Sequence, residues 1–289
     1  MWRVAYPIPG ESPAMTQPFQ TLVLTGAAGT LGRQLVPGLL PLTRCLVASD
    51  LAQPLAQAAL PGAARRVPCD LADAAQVLQL LSGADAVVHL GGVAVEGPFE
   101  PILQANIRGV QNLYEAARRC GVKRIVFASS NHVTGCYGLA QTVHPQDPPR
   151  PDGHYGLSKL YGEGMARLYW DRFGVQTVCL RIGTATPAPP DRRALATWIS
   201  PRDLLQLVHS ALSARDVGFI VAYGISANTR RFHDTTAAWQ ALGFAPADNA
   251  ESFAAQVEHV LLPEGPQRQL QGGSFLGLGP FDHPVQDMP

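Results

Sequence analysis

The stretch Thr21–Gly32, "TLVLTGAAGTLG", decides the fold. A short apolar run ends on Gly26, and Gly29 and Gly32 follow at three-residue intervals. An apolar run without alternation is the pattern of a strand buried on both faces. The residues that follow, "GTLGRQLVPGLL", space their apolar side chains as a helix does. Glycine permits the tight turn between the two and lets the backbone approach a pyrophosphate at the helix N-terminus, where free N–H groups favour an anion. Taken alone, the spacing also fits a turn used only for packing.

Working outward, the same alternation repeats. "RCLVASD" (44–50), "ADAVVHLGG" (84–92), "RIVFASS" (124–130) and "QTVCLRIG" (176–183) read as strands. Between them, "ADAAQVLQLLSG", the run 102–121 and "YGLSKLYGEGMARLYWDRFG" read as helices, the second closing on glycine as a C-cap. A further helix is expected over 201–213, with Ser200 as cap, Pro201 at the first position and Asp203 in the first turn. Non-alternating strands separated by helices imply an α/β protein with a parallel sheet covered on both faces. The tail after Pro263 is glycine-rich and is expected to be irregular.

Bulk properties narrow the function. The 289 residues are 46% hydrophobic and 15% charged, which supplies ample core. Lysine plus arginine and aspartate plus glutamate number 22 each, and no basic block stands out, so nucleic-acid and polybasic membrane binding are not expected. The five cysteines are scattered without a CxxC spacing and read as reduced core thiols of a cytoplasmic protein; no metal site is expected. No apolar run reaches the length of a membrane span. Residues 1–18 read as a loose extension without the apolar core of a signal peptide, with Met15 as an alternative start.

Two further observations bear on chemistry. Asp50 ends the second strand eighteen residues past Gly32 (50 − 32), close to the roughly 20-residue separation of a ribose-binding acid. A carboxylate there accepts from both ribose hydroxyls and repels a 2′-phosphate, which points to NAD over NADP; a helix-capping aspartate is the plain alternative. Tyr155 and Lys159 are four apart on one helical face. A tyrosine with a pKa of about 10 is a poor base near neutrality, and a neighbouring ammonium is expected to pull it down.

Together with "CDLAD" (69–73), "VVHLGG" (87–92), "NIRGVQNLYEAA" (106–117), "FASS" and "YGLSK", these pieces resemble the short-chain dehydrogenase/reductase superfamily in its extended form, over most of residues 21–185 and in the right order. Further segments resemble the uronate dehydrogenase family: "HLGGVAVEGPFEPILQANI", "RIVFASSNHVTG", "RPDGHYGLSKLYGE", "RIGTATPAP", "ATWIS" and "LQGGSF". The resemblance implies a Rossmann-type doubly wound parallel sheet over 19–185, a small C-terminal substrate-binding lobe over most of 186–289 with a strand returning to the sheet, and association into homo-oligomers. It also implies NAD-dependent oxidation of a hexuronate (D-galacturonate, D-glucuronate or both) at C1, giving an aldaric acid lactone. Ser130 would polarise the substrate oxygen, Tyr155 move its proton, and Lys159 hold the ribose. NAD would lie along Gly26, Gly29, Thr30, Leu31, Asp50, Asp70, Leu71, Leu90, Gly91, Gly92, Asn106, Ser129, Tyr155, Lys159, Ile182 and Ala185.

The substrate end departs from the sugar-nucleotide epimerases of the superfamily. Where those carry small residues after the serine, this chain has Asn131 and His132, at the C-terminal end of a parallel strand, where α/β sheets bind ligands. An amide and an imidazole can hydrogen-bond sugar hydroxyls or a carboxylate. The resemblance implies that Ser130, Asn131, His132 and Tyr155 face the uronate and that Arg193 takes its carboxylate, with Arg192 solvent-facing and the register between the two arginines open. Ala94 and Thr184 stand where the family usually has serines. His89 reads as a core or turn hydrogen bond, and His144, His154 and Cys136 as loop residues. Two other functions share these motifs: a nucleotide-sugar epimerase or dehydratase, and a redox-inert dinucleotide sensor.

Overall fold

The structure, a computed structural model, describes residues 19–279 and 281. The N-terminal extension and Met15 lie outside the described residues. Seven strands form one parallel sheet: β1 (Phe19–Thr25), β2 (Thr43–Asp50), β3 (Arg65–Pro68), β4 (Ala86–His89), β5 (Arg124–Ser130), β6 (Gln176–Ile182) and β7 (Phe219–Gly224). Their spatial order is β3-β2-β1-β4-β5-β6-β7, so the chain winds first one way and then the other from β1. The crevice between β1 and β4 is the switch point where such sheets bind ligands. The chief helices are α1 (Thr30–Leu39), α2 (Ala52–Gln57), α3 (Ala74–Leu81), α4 (Phe99–Ile102), α5 (Gly109–Cys120), α6 (His154–Phe173), α7 (Ala194–Thr197) and α8 (Pro201–Ser213).

The absence of alternation in the strands has a direct cause. Leu22 and Leu24 of β1 enter one core, with Leu35 and Leu39 of α1 and Leu204 and Leu207 of α8. Val23, between them, enters the other core, with Val77 of α3, Leu113 of α5 and Ala166 of α6. Both faces are covered, so every position can be apolar. The Ser200 cap forms as expected: its side chain accepts from the Asp203 N–H at 3.0 Å, with Pro201 opening α8.

Two expectations are corrected in detail. The run 102–121 is not one regular helix, because residues Leu103–Arg108 widen into a π-helical turn between α4 and α5. The tail after Pro263 is not simply irregular; it makes short helical turns at Pro266–Gln269 and Gly273–Gly277 and packs against the mouth of the sheet.

Candidate active site

A cleft of about 880 Å³ opens at the C-terminal ends of the strands. Its floor at one end is the glycine turn. Gly26 adopts φ +72°, and a Cβ there would come within 2.7 Å of the Leu90–Gly91 backbone. At Gly32 a Cβ would collide with the carbonyl of Gly26. Only glycine therefore lets α1 start this close to β1 and β4, leaving its first N–H groups facing the cleft. Asp50, at the tip of β2, is held by the N–H groups of Ala28 (2.9 Å) and Leu51 (2.8 Å), with its carboxylate on the cleft wall. Asp70 and Leu71 line the same end, and Leu90, Gly91 and Gly92 continue toward the middle. This glycine-rich cradle beside a carboxylate fits a dinucleotide with unmodified ribose.

At the middle, β5 delivers Ser130, and the chain turns at once into a single 3₁₀ turn, Asn131–Thr134. Ser130 caps that turn by accepting from the His132 N–H at 3.2 Å. Tyr155 and Lys159 come from the first turns of α6, and both line the cleft. The start of α6 is fixed by a distant carboxylate. Glu96 accepts from the backbone N–H groups of His154 (3.0 Å) and Tyr155 (2.8 Å), where the dipole of a helix favours negative charge.

The electrostatics of the pair differ from expectation. Burial pushes the Tyr155 phenol up to about 12, against an opposing hydrogen bond from Ser130 and with Asp152 adding to the rise. Burial likewise pulls Lys159 down to about 8. In the protein by itself the loss of water around the phenol outweighs the nearby ammonium, whose nitrogen sits 5.6 Å from the tyrosine ring centroid.

At the far end Arg193 enters the cleft from the residue before α7, while Arg192 turns outward to pair with Glu258 at 3.2 Å. Arg193 donates to the Gln271 carbonyl. With the Asn131 amide turned so that both of its ends are satisfied, its oxygen accepts from Arg193 at 3.0 Å and its nitrogen donates to Ile182 O at 3.1 Å. Phe275 stacks on His132, with centroids 3.8 Å and planes 11° apart. Thus one cleft holds an anion cradle, a buried tyrosine and lysine, a histidine under an aromatic ring, and a guanidinium.

A model of the NAD dependent epimerase/dehydratase family matches residues 22–218. The uronate dehydrogenase of Pseudomonas syringae pv. tomato is 48% identical over 267 residues, which is 91% of this chain and 96% of that protein. The chain belongs to the uronate dehydrogenases. Solved structures agree: a variant of the Agrobacterium tumefaciens uronate dehydrogenase complexed with NAD superposes with a TM-score of 0.85 at 43% identity, covering 91% of this chain and 99% of that one. The glucuronic acid dehydrogenase of Chromohalobacter salexigens gives 0.85 at 42%, covering 90% and 98%.

The structure brings almost all the sequence-selected residues to one cleft, including Gly29, Thr30, Leu31, Ala94 and Ala185. Asn106 is the exception among them. It sits in the π-helical turn, is 2% exposed, and spends its amide on Val93 (2.8 and 3.0 Å) and Ser158 (2.9 Å), so it braces the loop after β4 and the first turns of α6. Ser129 lines the cleft, but its hydroxyl donates backward to Glu163. The Thr184 hydroxyl meets that of Thr197 at 2.8 Å. His89 is the core hydrogen bond expected, to Thr25 at 2.8 Å, and burial with the Lys159 charge pulls it down to about 3. His154, expected in a loop, is the first residue of α6. Sequence reasoning assigned no role to Glu96, Asp152, Gln271 or Phe275. The last two lie in "LQGGSF" and Asp152 in "RPDGHYG", segments that carried the resemblance without a stated role.

Proposed function

We propose that the chain is an NAD-dependent oxidoreductase that converts a hexuronate, D-galacturonate or D-glucuronate, to the aldaric acid lactone by oxidation at C1. The observation that carries this reading is Arg193, a guanidinium that lines the same cleft as the glycine cradle, Ser130 and Tyr155 and reaches Asn131, the residue after Ser130. A planar fork matches a carboxylate bidentately. With the uronate carboxylate there and its hydroxyls on Asn131 and His132, the anomeric carbon falls near Ser130 and Tyr155.

Tyr155 as phenolate takes the proton of the anomeric hydroxyl while Ser130 hydrogen-bonds the same oxygen. NAD, held along the cradle by the residues around Gly26–Gly32 and Asp50, would supply the hydride acceptor. Lys159, charged below about 8, would hold the ribose and, together with the positive nicotinamide, offset the burial that keeps the phenol protonated. Asp50 takes the adenosine ribose hydroxyls. Residues 19–185 form the cofactor-binding part and residues from 186 onward mainly the substrate cover; five free thiols suit a reducing, cytoplasmic compartment.

The test is NADH formation by purified protein with galacturonate, glucuronate, galactose and glucose in turn. Activity with the uronates alone is expected. Equal rates with the neutral sugars would remove Arg193 from the reading, and no NADH from any of them, with NAD still bound, would turn it toward an epimerase or a sensor.

A further inference from the structure

Asp152 is a carboxylate without solvent exposure, whose Oδ2 lies 2.6 Å from His132 Nδ1 and whose Oδ1 has no hydrogen-bond partner among the described residues. It occupies a niche that exists because Gly135 and Gly272 lack side chains; a Cβ on either would collide with the Asp152 carboxylate. The His132 ring is held on two more sides, by its stack on Phe275 and by a T-shaped contact with the Tyr155 ring at 5.9 Å. About a tenth of the imidazole stays exposed, and it is exposed to the cleft. Three contacts on one side chain fix its orientation far more tightly than a loop histidine needs.

We infer, on the basis of the function proposed above, that Asp152 is the positioning residue for His132, holding its proton on Nδ1 so that Nε2 meets a uronate hydroxyl as an acceptor. An ionised carboxylate only accepts hydrogen bonds, so the proton of the shared bond sits on the imidazole. In the neutral ring Nε2 is then left with its lone pair. The site gains something by this. Arg193 brings N–H donors to the substrate end and Ser130 a hydroxyl, whereas sugar hydroxyls also need a directed acceptor. Asp152 is a residue behind the site that selects which hydroxyl arrangement binds, without touching the sugar.

Nitrogen-15 shifts of the His132 ring at about pH 8, assigned by loss of the signals in His132→Gln, read the tautomer in the wild-type protein. Protonation at Nδ1 is expected; a neutral ring protonated at Nε2 overturns the inference. Asp152→Asn keeps the shape but lets an amide N–H donate to Nδ1, which reverses the tautomer, as happens when a triad aspartate is replaced by asparagine. In that variant kcat/KM for the uronate should fall at least about tenfold, mainly through KM, with NAD affinity unchanged. In a His132→Ala background the same change should add less than about twofold, because the effect acts through the imidazole. Full additivity, or a wild-type KM in Asp152→Asn, overturns the inference. If Asp152→Asn does not fold, the wild-type tautomer still decides. Absence of NADH formation by the wild type with any uronate would remove the proposed reaction and leave the tautomer measurement standing separately.

Discussion

Ser129 and Glu163 share a hydrogen bond of 2.6 Å although one is the penultimate residue of β5 and the other lies within α6. Glu163 also accepts twice, at 2.9 Å, from Arg181 on β6; Arg181 reaches the Tyr223 hydroxyl on β7 (3.2 Å), and that hydroxyl meets Thr134 at 2.8 Å. The segment Ser130–Thr134, whose Ser130, Asn131 and His132 line the cleft, is thereby tied from behind to two strands and a helix. Charge-assisted bonds inside the protein hold such geometry tightly, since there is no water to exchange with.

Glu163→Gln should be costly for the fold. It leaves the Arg181 guanidinium, 3% exposed, without its counter-charge. Removing one member of a buried pair typically costs about 3–5 kcal/mol, so thermal denaturation should come roughly 6–20 °C lower. A shift below about 2 °C would show that Arg181 finds another partner.

Tyr155→Phe removes the proton acceptor and little else. Turnover should fall by about 10²- to 10⁴-fold, measured as NADH formation, while NAD binding followed by fluorescence titration stays near the wild-type value. Retained turnover would assign the proton transfer elsewhere.

Lys159 forms no ion pair among the described residues, and burial lowers it from 10.5 to about 8. A depressed lysine means that the folded protein binds fewer protons than the unfolded chain between those two values. Stability therefore rises with pH across that window, and below about 8 the fold carries the cost of a buried ammonium. Lys159→Met should melt above the wild type at neutral pH, with the advantage shrinking as pH rises through the window, while its turnover is lost. Melting curves at a series of pH values decide it; identical wild-type and variant midpoints at neutral pH would count against an uncompensated charge.

Asp50→Asn should weaken selection of the cofactor. Its Oδ atoms already accept from Ala28 and Leu51, so the loop after β2 keeps part of its support. The repulsion of a 2′-phosphate disappears, and the ratio of kcat/KM with NADP to that with NAD should rise at least about tenfold. An unchanged ratio would assign discrimination to other groups.

Arg193→Lys tests the carboxylate end. A lysine ammonium cannot serve the Gln271 carbonyl, Asn131 and a carboxylate in one plane as the guanidinium does. KM for the uronates should rise at least about tenfold, and any residual rate with neutral sugars should not change. Equal loss for both substrate types would make Arg193 a structural residue.

The parts legible in the sequence were those encoded over short distances. The glycine turn, Asp50 at the end of β2 and the Tyr155–Lys159 spacing each lie within one strand–helix junction or one helical face, and each residue type is demanded by local sterics or charge. The Ser200 cap was legible for the same reason. What was not legible depends on segments far apart in the chain meeting in space. Glu96 caps a helix that starts 58 residues later, and Gln271 bonds the carbonyl of a residue 133 positions earlier. No spacing rule announces such meetings. The missed rise at Tyr155 has the same origin, since adjacency to Lys159 can be read from sequence but the extent of burial cannot.

The return of residues 271–275 to the cleft orders the making of the protein as well as its shape. Gln271 donates to the Gly138 and Gln141 carbonyls at 3.0 and 2.8 Å, and Phe275 lies over His132. A growing chain leaves the ribosome with its dinucleotide cradle, tyrosine and lysine long before those residues exist. Without residues 271–275, His132 would lose its stacking partner and the turn at 138–141 its tie to the Gln271 amide.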